Sequence, residues 1–422
     1  MTLTNSSQTL APPPGNERQT AFSSLRHRDF RLLWIGQIVS VTGSQMQLAA
    51  INWHIYVITH SALALGLVGA CRALPIIVCS LMGGVVADVV DRRRLMIVTQ
   101  TSMLICSGAL ALVTSSGLTH SWPIFLLTAI ASAAWAFDTP ARQALMPTLV
   151  PAKDFPNAVS LSMLMFHIGL ISGPPLAGFL LASHGPALVY AINAASFVAV
   201  IVGLALMHTS GKPEKTENES SEISFAALME GLRFVWRTPI IVQTMTLDFV
   251  ATFFASANQL LPIYAKDILD VGARGYGFLA AAPAVGAIAA GLIMARLGVL
   301  KRQGVTVIVS VGFYGAATIA FGLSRAFWFS LLMLALTGAA DAVSTILRQT
   351  IRQLVTPNNL RGRMTSVNMI FFMGGPQLGE VEAGTLAALI GAPLSVVTGG
   401  AACVIAAVFA FIKARNLRQY ER

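Results

Sequence analysis

The sequence predicts an all-α integral membrane protein: twelve transmembrane helices in two pseudo-symmetric six-helix bundles. Three observations lead there, namely a composition too apolar for water, twelve apolar stretches of membrane-crossing length, and an internal repeat. Of 422 residues 55% are hydrophobic and 11% charged, with a mean hydropathy of +0.70, against roughly 25% charged in an average soluble domain. A hydrocarbon core about 30 Å thick takes about twenty helical residues. Apolar stretches of that order cover 31–58, 63–87, 95–116, 122–144, 157–183, 187–208, 240–264, 275–297, 304–324, 326–350, 364–390 and 392–412.

Taken in order, the first twenty residues have prolines and polar residues but no apolar core with a small-residue cleavage site, so no cleaved signal peptide is expected. The first span carries Gln45, Gln47, Asn52, Trp53 and Tyr56. The amides can hydrogen-bond a substrate or glue helices together, and the rings can form an aromatic wall or an interfacial belt. The second span holds Arg72 about ten residues in, near midplane, and ends in GGVVADVVDRRR, Gly83 to Arg94. The fourth closes on AFDTPARQ, which places Asp138 and Arg142 at its end. In the fifth, GLISGPPLAG sets Gly169, Gly173, Pro174 and Gly178 on a helix expected to bend and to pack closely, because proline removes backbone donors and glycine admits a neighbouring backbone.

The polar run His208 to Ser224 splits the spans six and six. It gives three regions: 1–208 with the first bundle, 209–238 as a linker, and 239–422 with the second bundle. Within the linker Phe225, Leu228, Leu232, Val235 and Trp236 recur at helical spacing until Pro239, the pattern of an amphipathic surface helix. The seventh span contains Asp248, Phe253, Phe254, Asn258 and Gln259, the tenth Asp341, and the eleventh Glu380 and Glu382.

A shift of 206 residues lays Asn52 on Asn258, Arg142 on Arg348, Gly173 on Gly379, Gly178 on Gly384 and Gly185 on Gly391. Like-oriented six-helix halves are an arrangement of secondary transporters, with the substrate site between them near midplane. The net charge of +10 raises nucleic acid as a partner, but 24 of the 28 Lys and Arg, with Arg348 and Arg352 counted among them, fall in segments on one side. That is the positive-inside pattern, which puts both termini in the cytoplasm of a bacterial inner-membrane protein and leaves no nucleic-acid partner. The four cysteines lie inside spans and show no metal-ligand spacing. No metal or cofactor is expected, nor a nucleotide, since no G-x-x-x-x-G-K-S/T loop occurs.

The stretch GGVVADVVDRRR resembles the loop signature of the major facilitator superfamily, matching it at Gly84, Ala87, Asp88, Arg92 and Arg93 and departing at Val89 and Asp91. That resemblance implies a gating latch in which the loop charges meet an acid near the cytoplasmic end of the fourth span, here Asp138. GLISGPPLAG resembles the superfamily's antiporter motif. With LRHRDFRLLWIGQIVS and QLGEVEAGTLAALIGAP, the chain is similar to the branch containing the enterobactin exporter and macrolide efflux proteins. The fourth span lacks that superfamily's buried-arginine motif of proton-coupled drug antiporters.

An ionisable group at the bilayer centre costs at least about 2.5–3.5 kcal/mol on insertion scales, so each needs a partner or a task. A desolvated carboxyl can take and release a proton as access alternates. Asp248 leads as coupling group, followed by Glu380 and Glu382, with Arg72 as counter-charge; fixed helix-to-helix contacts are the other reading. Glu380 and Glu382 lie about 200° apart around a helix, so they face nearly opposite sides. The expected function is export of a small amphipathic molecule, a drug or siderophore, by a monomer that alternates access and draws on the proton gradient. An importer of an organic anion held by Arg72 is the alternative. A membrane-embedded enzyme is disfavoured by scattered histidines, and a sensor by the lack of any soluble domain.

Overall fold

The computed structural model describes residues 22–117, 120–212, 225–254, 257–298, 300–357 and 360–421. Each apolar stretch except the seventh is one helix. The first half comprises α1 (Arg28–Thr59), α2 (Ala62–Val89), α3 (Arg92–Ser115), α4 (Trp122–Leu149), α5 (Phe155–His184) and α6 (Pro186–Leu206). Then come α7 (Phe225–Arg237), α8 (Pro239–Phe254), a short α9 (Leu261–Ile263), α10 (Gly272–Leu297), α11 (Gln303–Leu323), α12 (Phe327–Val355), α13 (Arg361–Ile390), α14 (Ala392–Lys413) and α15 (Arg415–Arg418). Among the described residues, ten helical stretches are long and apolar enough to cross a membrane. The remaining long helices, α1 with 32 residues and α13 with 30, have the length but carry amides and carboxylates along it.

Local chemistry sets the ends. Ser61 caps α2 by accepting from the Ala64 amide, and Asp91 caps α3 by accepting from the amides of Arg93 and Arg94. Gly185 and Gly391, one repeat apart, each join two helices alone, at φ 77° and 87°, where a side chain would be strained. The seventh span is not the continuous helix expected over 240–264. After Phe254 it proceeds through a 3-10 turn (Ala257–Leu260), α9 and a π turn (Tyr264–Ile268). Pro262 has no amide hydrogen for the helical ladder at this point. The amphipathic helix appears as α7, with Val235 buried and Trp236 exposed; most of the linker before it, 213–224, lies outside the described residues.

The bundle has two ends. The top carries the α1–α2, α5–α6 and α13–α14 turns, and the base carries the α2–α3 turn, the start of α1 and the end of α14. At the top one apolar core runs through both halves, from Ala50, Ile55 and Leu65 to Leu261, Tyr276 and Ala383. Toward the base the described residues form separate cores, one around Met96, Leu145 and Leu204, one around Val307, Leu347 and Cys403, and a small one around Ile241, Met245 and Met364. At the base of the first half, Asp29 anchors the start of the linker by accepting from the His208 amide at 3.0 Å, the Thr209 amide at 2.8 Å and the Thr209 hydroxyl at 2.6 Å.

Two arginines are not where the charge count puts them. Arg348 and Arg352 lie inside α12 and are 1% and 3% exposed, Arg348 within the apolar stretch itself and Arg352 where the helix continues past it to Val355. Arg142 likewise lies within α4.

Candidate functional site: a polar cavity beneath a closed top

On α1, Gln37, Ser40, Ser44, Gln45, Leu48 and Ile51 recur at three- and four-residue steps, so they share one face. That face borders a cavity of about 360 Å³, completed by α2 to α6 and by Gln377 of α13. Of the amides expected to meet a substrate, Gln45 and Gln47 do line it. Aromatic rings enter from three helices, as Trp135, Phe166 and Phe197.

The cavity floor is an ion pair with an amide at each end. Asp138 Oδ2 lies 3.9 Å from Arg142 Nε, one turn along α4. Asp138 Oδ1 accepts from Thr99 Oγ1 at 3.0 Å and from Gln100 Nε2 at 2.9 Å. Arg142 Nη1 donates to Gln37 Oε1 at 3.1 Å. The sequence reading placed Asp138 with the α2–α3 loop, yet here it belongs to the cavity. The arginine that reaches α4, Arg92, donates to the carbonyls of Ala144 at 3.1 Å and Ala87 at 3.3 Å. Ala144 is six residues from Asp138, about 9 Å along the helix. Arg93 donates to the Ala205 carbonyl at 2.9 Å, Asp88 is exposed, and Gly84 lies in the last turns of α2.

Above the cavity Arg72 Nη1 faces Glu380 Oε2 at 3.5 Å, joining α2 of one half to α13 of the other. The oxygen is buried and has this counter-charge but no aligned hydrogen bond. Arg72 thus meets Glu380, and Asp248 is elsewhere. Glu382 is half-buried and lies seven residues, two turns, beyond Gly375, which looks onto Thr252 of α8; it therefore sits on the α8 side of α13.

Several residues expected to line the pathway instead close the top. Asn52 and Gln259 exchange hydrogen bonds across the halves at 3.4 and 3.3 Å. Trp53 stacks on Tyr276 with ring centres 5.5 Å apart, and the Tyr56 hydroxyl donates to Asp267. Asn258 is exposed, and Phe253 stacks on Phe249 within the second half. The broken seventh span explains the displacement, since its turns bring Gln259 and Asp267 against α1 where a straight helix would carry them past it. The backbones close in too. Gly384 meets Gly66 and the Ala62 carbonyl, while Gly178 meets Gly277 and the Ala273 carbonyl, the same contact built twice. Lower on α5, Gly169 and Gly173 pack on Val41 and Gln45 of α1, and Pro174 and Pro175 sit inside an uninterrupted helix.

A β-carbon at Gly384 would stand 2.6 Å from the Gly66 Cα. Gly384→Val is therefore expected to force α2 and α13 apart, at about 1–3 kcal/mol for overpacking. The readout is a lower melting temperature together with faster labelling of a cysteine placed at Gln259.

The second half holds its own charge cluster. Asp248 Oδ1 lies 2.7 Å from Arg348 Nη2, and Oδ2 lies 3.8 Å from Arg352 Nη1. Asp341 stands 3.8 Å from the same Arg348 nitrogen, and Arg352 also donates to Asn368. What the sequence reading missed is the stripe itself: Gln100, Met103 and Ser107 on α3 and Thr128, Ser132 and Trp135 on α4 repeat the helical spacing of α1.

Comparison with known proteins agrees with this architecture. The model of the transmembrane secretion effector family matches residues 19–422. An enterobactin exporter of Salmonella choleraesuis is 27% identical over 400 residues, 94% of each chain, and one of Escherichia coli O1:K1 is 26% identical over 398 residues with the same coverage. The fold is that of an inward-facing bacterial homologue of the human lysosomal transporter Spinster, with a TM-score of 0.74 at 16% identity over 93% of this chain and 99% of that one. A bacterial homologue of the iron transporter ferroportin, also inward-facing, gives 0.67 at 15% identity over 93% and 99%. With a helical architecture shared with such transporters and a family match over nearly its whole length, the chain belongs to the transmembrane secretion effector family of the major facilitator superfamily and is a multi-pass membrane transporter.

Proposed function

We propose that the protein is an exporter of a small amphipathic organic compound, of the siderophore or drug class, working by alternating access in exchange for protons. The observation that carries this reading is the division of the core among the described residues: joined across the halves at the top and separate toward the base, with a polar cavity lined by the first half and by Gln377 of the second. Arg92, Arg93, Arg94, Lys153, Lys413 and Arg415 gather at the base, which by the positive-inside rule makes it cytoplasmic. The cavity then loads from the cytoplasm, as an exporter requires, and all twelve long helices cross the membrane with both termini inside. Similarity to enterobactin exporters supports the substrate class and the direction. The glycine-and-proline frame of α5, packed on α1 and α10, is consistent with antiport, and a monomer needing no cofactor suffices for the cycle.

Glu380 and Arg72 are the coupling pair in this scheme. Their ion pair crosses the halves, so opening the top pulls it apart. A carboxylate parted from its guanidinium in a desolvated site takes a proton from the outer side. Closure returns Arg72, whose charge replaces the proton and releases it toward the cavity. The importer reading is weaker, because the charge of Arg72 is already matched by Glu380 at 3.5 Å.

Everted vesicles from cells expressing the protein test the proposal. A pH gradient, acid inside, should drive accumulation of labelled enterobactin, and a protonophore should abolish it. Uptake into right-side-out cells in place of accumulation would overturn export.

A further inference from the structure

The internal repeat shows where the two halves differ as well as where they agree. A shift of 206 residues lays DTPARQ, Asp138 to Gln143, on STILRQ, Ser344 to Gln349, so Arg348 takes the place of Arg142 and Ser344 that of Asp138. In the first half the acid one turn before the arginine stands on its Nε side, with Asp138 Oδ2 3.9 Å from Arg142 Nε. In the second half that carboxylate is replaced by a hydroxyl, while the arginine stays. Arg348 and Ser344 are each 1% exposed. The acids near Arg348 meet a different edge of the guanidinium: Asp248 at 2.7 Å and Asp341 at 3.8 Å both approach Nη2, which also donates to Thr345 Oγ1 at 3.0 Å. Arg348 Nε and the Ser344 hydroxyl have no hydrogen-bond partner. Residues four apart on a helix are neighbours on one face. Two buried polar groups are thus left unsatisfied together, at the place where the first half keeps a negative charge.

We propose that Arg348 Nε and the Ser344 hydroxyl hold a small monovalent anion, a halide such as chloride, which supplies to the second half the charge that Asp138 supplies to the first. Both groups can donate toward this point, so the occupant accepts hydrogen bonds. A guanidinium favours a negative acceptor over water, because hydrogen bonds between charged partners are shorter and stronger. The surrounding charges agree. Arg348 and Arg352 are both buried and share Asp248 as their buried acid, whereas the Asp341 side chain is 50% exposed and solvated. A small ion suits the space, since it stands in for a carboxylate. Asp341 lies three residues from Ser344 on α12, so solvent reaches the adjacent turn and gives the ion a route. Neither Ser344 nor Arg348 borders the cavity of the first half, so the site stands apart from whatever the protein carries.

Thermal melting of the detergent-purified full chain in sodium chloride, against sodium gluconate at equal ionic strength, tests the site. A ligand that binds only the folded state raises its melting temperature by mass action. The parent should therefore melt higher in chloride than in gluconate, with a saturable dependence, and bromide should substitute for chloride. Ser344→Ala removes a hydroxyl that holds no other group, so it should melt with the parent in gluconate. It should need roughly 3–10-fold more chloride for the same stabilisation, the range of one net hydrogen bond. Ser344→Asp rebuilds the first-half pair and should lose the response to chloride altogether. A parent that melts alike in the two salts would place a water between the groups and overturn the anion site. A Ser344→Ala protein with the parent's chloride dependence would overturn it too, as would a folded Ser344→Asp protein that still responds. Should the aspartate variant fail to fold, the alanine variant decides alone.

Discussion

Glu380→Gln should reduce proton-driven accumulation in everted vesicles to the level of vesicles without the protein, while exchange of labelled for unlabelled substrate across the same membrane continues. The two readouts part because they demand different things of the carboxyl. Net export against a gradient needs a group that is charged beside Arg72 when the top is closed and protonated when the halves separate, and glutamine has neither state. Exchange needs only that the cavity bind substrate and that access alternate, and an uncharged side chain facing Arg72 holds the top together less tightly than an ion pair does. Glu382→Gln is the matched control, two residues away, half-buried and on the α8 side, and should leave both readouts unchanged. If Glu380→Gln vesicles accumulated substrate as the parent does, Glu380 would lose the coupling role and the pair would be a static brace.

Much of this architecture is legible in the sequence, and what is not has a common cause. Helix positions follow from apolar length, so most observed ends lie within a few residues of the expected ones; the exceptions are α8, which ends at Phe254, and α4 and α12, which run five residues further into polar sequence with Leu149 and with Ile351 and Arg352 buried in their last turns. The glycines at 178 and 384 are readable as close-packing points because the repeat preserves them, and each makes the same contact with a helix of the other half. Pairing is what a linear reading cannot supply. Arg72, Asp248 and Glu380 are each conspicuous in an oily helix, but which meets which depends on how α2, α8, α12 and α13 are arranged. From the sequence, Asp248 ranks ahead of Glu380 and Glu382, and Arg72 is offered as counter-charge without a decision on which of them it meets. In the fold Arg72 faces Glu380, and Asp248 faces Arg348. The cavity wall had a usable signal, since amides and hydroxyls at helical spacing on apolar helices mark a face turned from lipid. The closed top had less, because the breaks in the seventh span are what aim Gln259 and Asp267 at α1.

The other large effect concerns Arg348, and it separates a structural charge from a coupling one. Arg348→Met should lower stability by about 3–5 kcal/mol, because it strands Asp248 in the second half with Arg352 as its nearest remaining cation, at 3.8 Å. Thermal melting in detergent reads the loss. Asp248→Asn should be milder, since an amide oxygen can still accept from Arg348 at the same place. The decisive variant is the double substitution Asp248→Leu with Arg348→Met, which replaces both charges with apolar groups and leaves Arg352 its bond to Asn368 and Asp341 its exposure to solvent. Buried pairs replaced in this way are often neutral or stabilising, so the double variant should melt above Arg348→Met alone. It should also keep proton-driven accumulation. Asp248 and Arg348 lie on α8 and α12 of the same half, so a cycle that rocks one half against the other never needs to part them. Arg72 and Glu380 face each other across the surface that the proposed cycle parts. A double variant that folds normally yet has lost proton coupling would return the role to Asp248.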